Sequence, residues 1–220
     1  MSDNRFWLER IDGALALCQD VDNKLKPFSL DFCRDKYAYR LKQTKNMRLP
    51  LGVACGLTKG RRPAIVDATA GLAVDGLLLA ALGAKVTLVE QHPLIHGLIE
   101  DAIERARSGP SWIQAVMTNI QLVHANAIHW LKDNSSEVIY LDPMYPEPPG
   151  SKKAQVKKGM QLLRLLPDTG TDTKALFAAA REAATERLVV KRPDWAETLS
   201  GEKPDNRMDT KTHHYDIYLT

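Results

Sequence analysis

A short segment of the chain combines residue types that could hold an amino group of a nucleobase. Residues 138–141 form an apolar, partly β-branched run, which is typical of a buried strand, and the run ends at Asp142. Pro143 fixes its own φ and biases Asp142 towards an extended conformation, so the loop is stiff. The loop presents a carboxylate, a carbonyl outside any ladder and the ring of Tyr145. Both oxygens accept hydrogen bonds from an amine, and a ring stacks on a flat base, so the segment predicts a site for an exocyclic amine.

A second candidate site follows an earlier strand-like run. Residues 65–76 combine a strand, a turn of small residues and a helix start, and they include Asp67, Ala68 and Gly71. Small residues let the backbone approach a ligand closely. Glu90 closes the next strand, 19 residues after Gly71, and such an acid suits the two hydroxyls of a ribose. Because the G-x-G-x-x-G spacing is missing, S-adenosylmethionine fits better than a pyrophosphate cofactor. An ordinary βαβ turn with a surface glutamate remains the alternative.

Composition limits the class of protein. The chain has 220 residues, 44% of them hydrophobic, a net charge of +3 and three cysteines. This length predicts one large domain with a small appendage at most, and the hydrophobic content is that of a globular protein. The odd, widely spaced cysteines predict neither a disulfide framework nor a zinc site, so no metal is expected. The N-terminus lacks the basic segment of a signal peptide and no apolar run has membrane-spanning length, which favours a cytoplasmic protein without a membrane partner.

Strand-like and helical segments alternate through most of the chain. Helical spacing over residues 4–20 and a basic stretch after it predict an N-terminal helical and basic arm over residues 1–62. Over residues 63–220 the alternation predicts an α/β fold, with a mostly parallel twisted sheet, helices on both faces and a late antiparallel strand at 214–219. The other predicted strands are residues 64–68, 85–90, 120–125, 137–141 and 188–191. The predicted helices are residues 75–82, 93–107, 112–118, 127–132, 153–166 and 172–186.

Basic residues concentrate in two parts of the sequence. Between Lys24 and Arg62, eleven Lys and Arg residues accompany only two Asp residues, and aromatic rings lie among them. Contact with a polyanion is as well supported here as a solvated basic face. Four more lysines directly follow the Asp142 loop, and with two basic residues near position 191 they could surround a cleft and hold phosphates. The residues expected to contact nucleic-acid phosphates are Lys45, Arg48, Lys152, Lys153, Lys157, Lys158, Lys191 and Arg192.

Other residue types with chemical potential carry less weight. His92 and His96 are four residues apart, but no carboxylate completes a metal site with them. No G-x-S-x-G motif is present, which argues against a serine nucleophile. Trp112, Trp130 and Trp195 favour a role in the core or in cleft lining over a platform for a base.

Five motifs together resemble the ribosomal RNA small subunit methyltransferase J family. Asp-Ala-Thr-Ala-Gly-Leu begins at Asp67, Tyr-Leu-Asp-Pro-Met-Tyr-Pro at Tyr140, Val-Lys-Lys at Val156, Val-Val-Lys-Arg-Pro-Asp at Val189 and Tyr-Asp-Ile-Tyr at Tyr215. The likeness covers about residues 28–217. It implies a class I methyltransferase fold, and an enzyme that transfers a methyl group from S-adenosylmethionine to N2 of a guanine in 16S rRNA of the small ribosomal subunit.

The resemblance also implies roles for individual residues. Val74 and Asp75 would hold the methionine end of the cofactor, at positions where the family usually has Arg-Asp preceded by Gly. Glu90 and Gln91 would meet the ribose and adenine. The full set implied for the cofactor is Asp67, Ala68, Gly71, Val74, Asp75, Glu90, Gln91, Asn126, Ala127 and Asp142. The set implied for catalysis is Asp142, Pro143 and Tyr145.

Three other functions remain open at this point. The same loop chemistry could serve an amino-methyltransferase acting on another RNA base or on DNA. An inactive RNA-binding protein with a methyltransferase fold is possible because Ala73 and Val74 depart from the family pattern. A nicotinamide dehydrogenase is the weakest alternative because the glycine spacing is missing.

Overall fold

The computed structural model describes residues 6–20, 26–34, 38–39, 41, 49–144, 165–166, 170 and 172–220. The strands are β1 (Phe6–Ile11), β2 (Ala14–Gln19), β3 (Phe28–Ser29), β4 (Ala64–Asp67), β5 (Lys85–Glu90), β6 (Ile120–His124), β7 (Ser136–Leu141), β8 (Ala184–Pro193), β9 (Asn206–Asp209) and β10 (His213–Leu219). The helices are α1 (Pro50–Ala54), α2 (Val74–Ala81), α3 (Pro93–Arg107), α4 (Ser111–Met117), α5 (Ala127–Trp130) and α6 (Thr173–Ala183).

The main sheet has seven strands in the order β6-β5-β4-β7-β8-β10-β9. Strands β4 to β8 pair in parallel, whereas β10 is antiparallel to both β8 and β9. Apolar side chains of the central strands are buried on both faces, in two separate clusters. The predicted α/β architecture, including the late antiparallel strand, is therefore confirmed. The predicted bounds of β5 and α3 agree with the structure, and those of β4, β6 and β7 differ by one residue.

The first helix of the sheet domain packs unusually close to the sheet. A Cβ on Gly76 of α2 would lie 2.3 Å from Leu88 Cδ2 and 3.1 Å from Asp67 Oδ2. Glycine is thus required here by the approach of helix to strand, and the approach brings the first turn of α2 over the end of β4.

The N-terminal segment forms a β-hairpin, so the predicted helix over residues 4–20 is wrong. Strands β1 and β2 pair antiparallel from Phe6↔Gln19 to Ile11↔Ala14. The two loop residues, Asp12 and Gly13, both have positive φ, 50° and 81°. Asp-Gly is a favoured pair for two-residue hairpin turns of this kind, because its backbone twist matches that of the flanking strands.

A buried carboxylate attaches this hairpin to α3. Asp101 is 6% exposed, and its oxygens lie 2.9 Å from Arg10 Nη1 and 2.8 Å from Arg105 Nε. The backbone N–H of Leu15 donates to the same carboxylate at 3.0 Å. Leu17 of β2 also packs in the hydrophobic cluster that contains α3. Residues of the predicted arm and of the sheet domain therefore share one core.

Two further differences concern the end of the chain. The predicted helix over 172–186 ends at Ala183, because the chain passes directly into β8, which pairs with β7 on one side and β10 on the other. The polar strand β9 was not predicted. The predicted helix over 153–166 lies outside the described residues except for its last two.

No helix in the described part of the chain is both long enough and apolar enough to span a bilayer. Within the same residues, no group of three or more His, Cys, Asp and Glu side chains is arranged to hold a metal ion.

Candidate active site

The candidate site lies where the carboxyl ends of the parallel strands meet. Strand β4 is flanked by β5 on one side and β7 on the other, so the loops that leave β4, β5 and β7 emerge at one edge of the sheet. In open α/β sheets ligands bind outside this edge, where the strand order reverses. The sheet thereby brings the Asp67, Glu90 and Asp142 regions together, although up to 75 residues separate them along the chain.

The loop after β4 is tied to the loop after β7. Asp67 is 2% exposed, and its Oδ1 accepts a hydrogen bond of 3.2 Å from the N–H of Thr69. Thr69 Oγ1 in turn accepts a 2.6 Å bond from the N–H of Asp142. Ala68 N–H donates to the carbonyl of Tyr140 at 3.0 Å. These bonds fix the backbone of Asp142 relative to the first loop.

Glu90 joins the loops after β4 and β5. Its Oε2 accepts a 2.9 Å bond from Gly71 N–H, and its Oε1 accepts a 2.7 Å bond from His92 N–H. Gly71 has φ 52°, a backbone conformation in which a side chain would be strained. Burial raises the pKa of Glu90, and the bonds from His92 and Gly71 act in the opposite direction. A carboxylate offers about four lone-pair positions, so Glu90 keeps capacity to accept bonds from ribose hydroxyls.

Gln91 and Asn126 connect the ends of β5 and β6. Asn126 Nδ2 donates to Gln91 Oε1 at 2.8 Å, while Asn126 Oδ1 caps α5 by accepting from the N–H groups of Ile128 and His129. Ala127 is the first residue of that helix. The four residues implied for the ribose and adenine therefore lie at the ends of two adjacent strands.

Three charged side chains form a compact group, which we call the carboxylate–lysine cluster: Asp75, Lys191 and Asp142. Lys191 Nζ lies 2.7 Å from Asp75 Oδ2 and 2.8 Å from Asp142 Oδ2. The hydroxyl of Tyr140 also donates to Asp75 Oδ2, at 2.7 Å. The Asp142 side chain remains 37% exposed, whereas that of Asp75 is 16% exposed. Asp142 therefore forms the accessible side of the cluster.

The strand register explains how Lys191 reaches Asp142. Leu141 of β7 pairs with Val190 of β8, so the next residues of these parallel strands, Asp142 and Lys191, lie side by side on one face. Asp75 lies in the first turn of α2, whose close packing on that face is permitted by Gly76.

The surroundings shift the acid–base properties of the cluster. Burial alone would lower the pKa of Lys191, but Asp142 and Asp75 outweigh it and raise that pKa. Burial raises the pKa of Asp142; Lys191 opposes this increase and Asp75 adds to it. Asp67 lies deeper, and burial together with the charge of Asp75 raises its pKa to about 8.

The start of α2 has an unusual backbone. Ala73 precedes the helix with φ 59° and ψ 20°, in the left-handed region, and its side chain is fully buried. Val74 is the first helical residue and Asp75 the second. Glycine adopts this conformation without strain, whereas the Cβ of an alanine makes it unfavourable.

Lys191 and Arg192, which the sequence predicted to hold phosphates together, lie on opposite faces of the sheet. Successive strand residues point to opposite faces of a sheet, and here Lys191 faces the carboxylate–lysine cluster while Arg192 is 7% exposed on the other face. The expectation that both would line one phosphate-binding rim is therefore not supported by their placement.

Several predicted residues lie outside the described residues. They are Tyr145, Lys45, Arg48, Lys152, Lys153, Lys157 and Lys158. Pro143 is described and is buried at the end of the Asp142 loop.

Sequence reasoning gave no role to Thr69 or to the hydroxyl of Tyr140. Both belong to motifs noted above, and both contact a residue of the predicted site. The signal available in the sequence was their position: Thr69 is two residues past the end of one central strand, and Tyr140 is two residues before Asp142.

Comparison with known proteins agrees with this geometry. The family model described as "Putative SAM-dependent methyltransferase" matches residues 1–220. A protein of Alkalilimnicola ehrlichii named ribosomal RNA small subunit methyltransferase J is 41% identical over an alignment covering 96% of this chain and 81% of the relative. A protein of the same name from Nitrosococcus oceani is also 41% identical, over 88% of this chain and 77% of the relative.

Solved structures show the same fold. The crystal structure of a SAM-dependent methyltransferase from Neisseria gonorrhoeae has a TM-score of 0.75 and 28% identity, and the match covers 100% of this chain and 84% of that one. A T. thermophilus 16S rRNA N2 G1207 methyltransferase, solved with AdoMet and guanosine, has a TM-score of 0.52 and 16% identity, over 98% and 50% of the two chains. The predicted class I methyltransferase fold and the predicted cofactor, S-adenosylmethionine, are confirmed. The chain belongs to the ribosomal RNA small subunit methyltransferase J family of S-adenosylmethionine-dependent methyltransferases.

Proposed function

We propose that this protein transfers a methyl group from S-adenosylmethionine to the exocyclic N2 amine of a guanine in 16S rRNA of the small ribosomal subunit. The observation that carries the proposal is the position of Asp142: an accessible carboxylate, fixed by Thr69 and Lys191, at the carboxyl end of β7 beside the loops of β4 and β5. The names of relatives at 41% identity supply the class of RNA.

The chemistry of a guanine amine fits this loop. The nitrogen lone pair is delocalised into the ring, so the amine is a poor nucleophile until it becomes pyramidal. The Asp142 carboxylate and the Pro143 carbonyl would accept its two N–H bonds and favour that geometry. The carboxylate also opposes the positive charge that develops on the nitrogen, an interaction that grows in the transition state. Tyr145, by its place in the sequence, would stack on the base.

The cofactor side of the cleft also fits. Bound S-adenosylmethionine would supply an activated methyl group on a sulfonium. The chain provides Glu90 for ribose hydroxyls, Gln91, Asn126 and Ala127 at the next strand ends, and the glycine turn at Gly71 for close backbone approach. Two carboxylates and one ammonium leave the carboxylate–lysine cluster with a net negative charge, which suits a cationic group. Alignment of two bound reactants can lower a barrier by roughly 7–11 kcal/mol.

The RNA side of the proposal extends to residues outside the described ones. The basic arm within residues 1–62 and the lysines at 152, 153, 157 and 158 would hold phosphates, with residues 63–220 as the methyltransferase domain. This contact is electrostatic, so RNA affinity should fall steeply with salt, and Lys152→Ala/Lys153→Ala should flatten the slope. Affinity that does not respond to salt would remove these lysines from the proposal. The reaction takes place on a cytoplasmic substrate, the small subunit or its rRNA.

Comparison of cellular rRNA tests the proposed function directly. Methylated guanines of 16S rRNA would be mapped in cells that have the gene and in cells that lack it. The cells that lack it would also be complemented with the wild-type gene or with Asp142→Asn. We expect one N2-methylguanine to disappear without the protein and to return only with the wild type. A methyl group lost from adenine or cytosine, or from another RNA, would favour a different amino-methyltransferase; an unchanged map would overturn the proposal.

A further inference from the structure

The side chain of Lys191 has a placement that a phosphate-binding role does not explain. It is 24% exposed, and its ammonium lies within 2.8 Å of two carboxylates on different elements, Asp75 of α2 and Asp142 after β7. An RNA phosphate could bind this ammonium only by competing with Asp75 and Asp142, which already lie at hydrogen-bond distance from it. The geometry instead directs the charge of Lys191 inwards, to the group proposed to receive the guanine amine.

We infer that Lys191 is a positioning residue for methyl transfer: it holds Oδ2 of Asp142 and keeps that carboxylate ionised beside Asp75, so that the amine meets a charged acceptor. This inference rests on the proposed function. With Lys191 on Oδ2, the guanine amine would approach the other oxygen, Oδ1. Thr69 holds the backbone of Asp142 by a separate hydrogen bond, so Lys191 orients only the side chain of Asp142.

Asp142 needs such a partner because two effects oppose its ionisation. Burial raises its pKa, and the neighbouring negative charge of Asp75 raises it further. Lys191 is the group that lowers it. A protonated Asp142 would have one oxygen carrying a hydrogen, and it would not stabilise positive charge on the nitrogen. Without Lys191, therefore, Asp142 should be neutral over a wider range of pH.

Other titratable groups face the same space from each element packed around it. They are Asp67 of β4, Asp75 of α2, Tyr140 of β7, His213 and Tyr215 of β10, and Cys55 after α1. The pKa of Asp67 is raised to about 8, and that of His213 is lowered by burial. Because neighbouring groups can also change charge within the pH range of the rate profile, the titration must observe the carboxyl group of Asp142 itself.

The test combines a spectroscopic titration with a pH–rate profile. The variant Lys191→Met keeps an unbranched chain and removes the charge; Lys174→Met, on the exposed surface of α6, is the matched control. The carboxyl carbon of Asp142 would be titrated by NMR in the cofactor-free protein, assigned by its loss in Asp142→Asn. We expect its midpoint to rise by about one pH unit or more in Lys191→Met, the effect of removing an opposite charge at this distance, and to be unchanged in Lys174→Met.

The rate profile should move in the same direction. The acidic limb of the single-turnover methylation rate should shift to higher pH in Lys191→Met, and the rate should recover above the new midpoint. Lys191→Arg, which keeps the positive charge, should leave the limb near its wild-type position. A rate that falls equally at every pH, with the Asp142 midpoint unchanged, would mean that Lys191 only supports the fold, and the inference would be wrong.

The variant Asp75→Asn gives a test with the opposite sign. Removal of this neighbouring negative charge should lower the midpoint of Asp142, and in Lys191→Met/Asp75→Asn it should reverse part of the rise. If Lys191→Met does not fold, Lys191→Gln provides the same test, because a midpoint of Asp142 that does not rise in that variant would contradict the inference. The NMR titration also needs no substrate. A wild type that fails to methylate guanine would overturn the proposed function while the coupling of Lys191 to Asp142 was still measured.

Discussion

Two charged clusters of this protein differ in the balance of their charges: positive groups outnumber carboxylates in one, and carboxylates outnumber positive groups in the other. At the N-terminal hairpin one carboxylate, Asp101, receives Arg10, Arg105 and a backbone N–H. At the sheet edge one ammonium, Lys191, is shared by two carboxylates. The first cluster is saturated with donors around a 6% exposed side chain, whereas the second carries excess negative charge on a 37% exposed one.

The pKa values reflect this difference. Burial alone would raise the pKa of Asp101, but its three donors outweigh burial and hold the pKa below the ordinary value. For Asp142 burial prevails over Lys191, and the pKa is raised. The comparison indicates that the first cluster joins parts of the fold and that the second is suited to receive a positively charged or proton-rich group.

The largest effect is expected for Asp142→Asn. The substitution keeps the size and one carbonyl acceptor, but it removes the charge that stabilises the developing cation. We expect the rate of methyl transfer to fall by roughly 10²–10³-fold, the effect of losing one well-placed electrostatic group, with little change in RNA affinity. Quenched single-turnover reactions would measure the rate of methyl transfer, and RNA-binding titrations would measure the affinity. Near-normal turnover would mean that another group holds the amine.

Asp101→Asn should have the opposite profile. Loss of the buried carboxylate leaves Arg10 without its counterion and Arg105 with only the longer contact to Asp31 at 3.9 Å. We expect the free energy of unfolding to fall by roughly 3 kcal/mol, the low end for such pairs because Arg10 is largely exposed. Denaturant unfolding would measure this loss. The methyl-transfer rate of the folded variant should stay near that of the wild type, and a large drop in that rate would break the distinction between the clusters.

The same carboxylate has a pH signature. Because its pKa is lowered in the folded state, Asp101 contributes stability that is fully present above its ordinary pKa of about 3.9 and is lost as the pH falls through the lowered value. Acid unfolding followed by circular dichroism should therefore show a smaller stability difference between wild type and Asp101→Asn as the pH falls below about 4. A difference that stays constant to pH 2 would contradict the assignment.

A smaller effect is expected for Glu90→Ala. This residue would bind ribose hydroxyls, so its loss should weaken S-adenosylmethionine binding by about 1–3 kcal/mol, the range for hydrogen bonds to a charged group. Calorimetry would measure the affinity, with the exposed Glu100→Ala on α3 as the control. Unchanged affinity in Glu90→Ala would restrict Glu90 to its bonds with Gly71 and His92.

The smallest effect is expected for Ala73→Gly. A left-handed residue with a Cβ costs about 1–2 kcal/mol, whereas removal of one buried methyl group costs about 0.8 kcal/mol. The variant should therefore be more stable by roughly 0.2–1.2 kcal/mol. Denaturant unfolding resolves the sign. A clear loss of stability would show that packing of the methyl group at the start of α2 outweighs the backbone strain.

The two clusters also differ in how far the sequence could predict them. The apolar, β-branched runs of β4, β5 and β7 and the Asp-Pro pair after β7 placed Asp142, Glu90 and Asp67 at one edge of a parallel sheet. The contact between Lys191 and Asp142 depends on the order of β7 and β8 and on their register, and its contact with Asp75 depends on the approach of α2 at Gly76. These are tertiary facts that local patterns do not contain.

The prediction of a helix over residues 4–20 was wrong for a different reason. The apolar residues of 4–20 fit a helical spacing, but they also fit two short strands, and Asp12-Gly13 between them was the stronger local signal. With the hairpin assigned as a helix, the role of Asp101 could not be predicted, because its partners Arg10 and Leu15 lie on the two paired strands. Because the turn at Asp12-Gly13 was predicted incorrectly, the contact between Asp101 and the hairpin could not be predicted either.

One measurement tests the account most directly. Purified wild type, Asp142→Asn and Asp101→Asn would each react with small-subunit rRNA and methyl-labelled S-adenosylmethionine, normalised to folded protein, and the RNA would be digested to nucleosides. We expect label in N2-methylguanosine for the wild type and for Asp101→Asn, and almost none for Asp142→Asn. Label in any other nucleoside, or equal label from the two variants, would contradict this expectation.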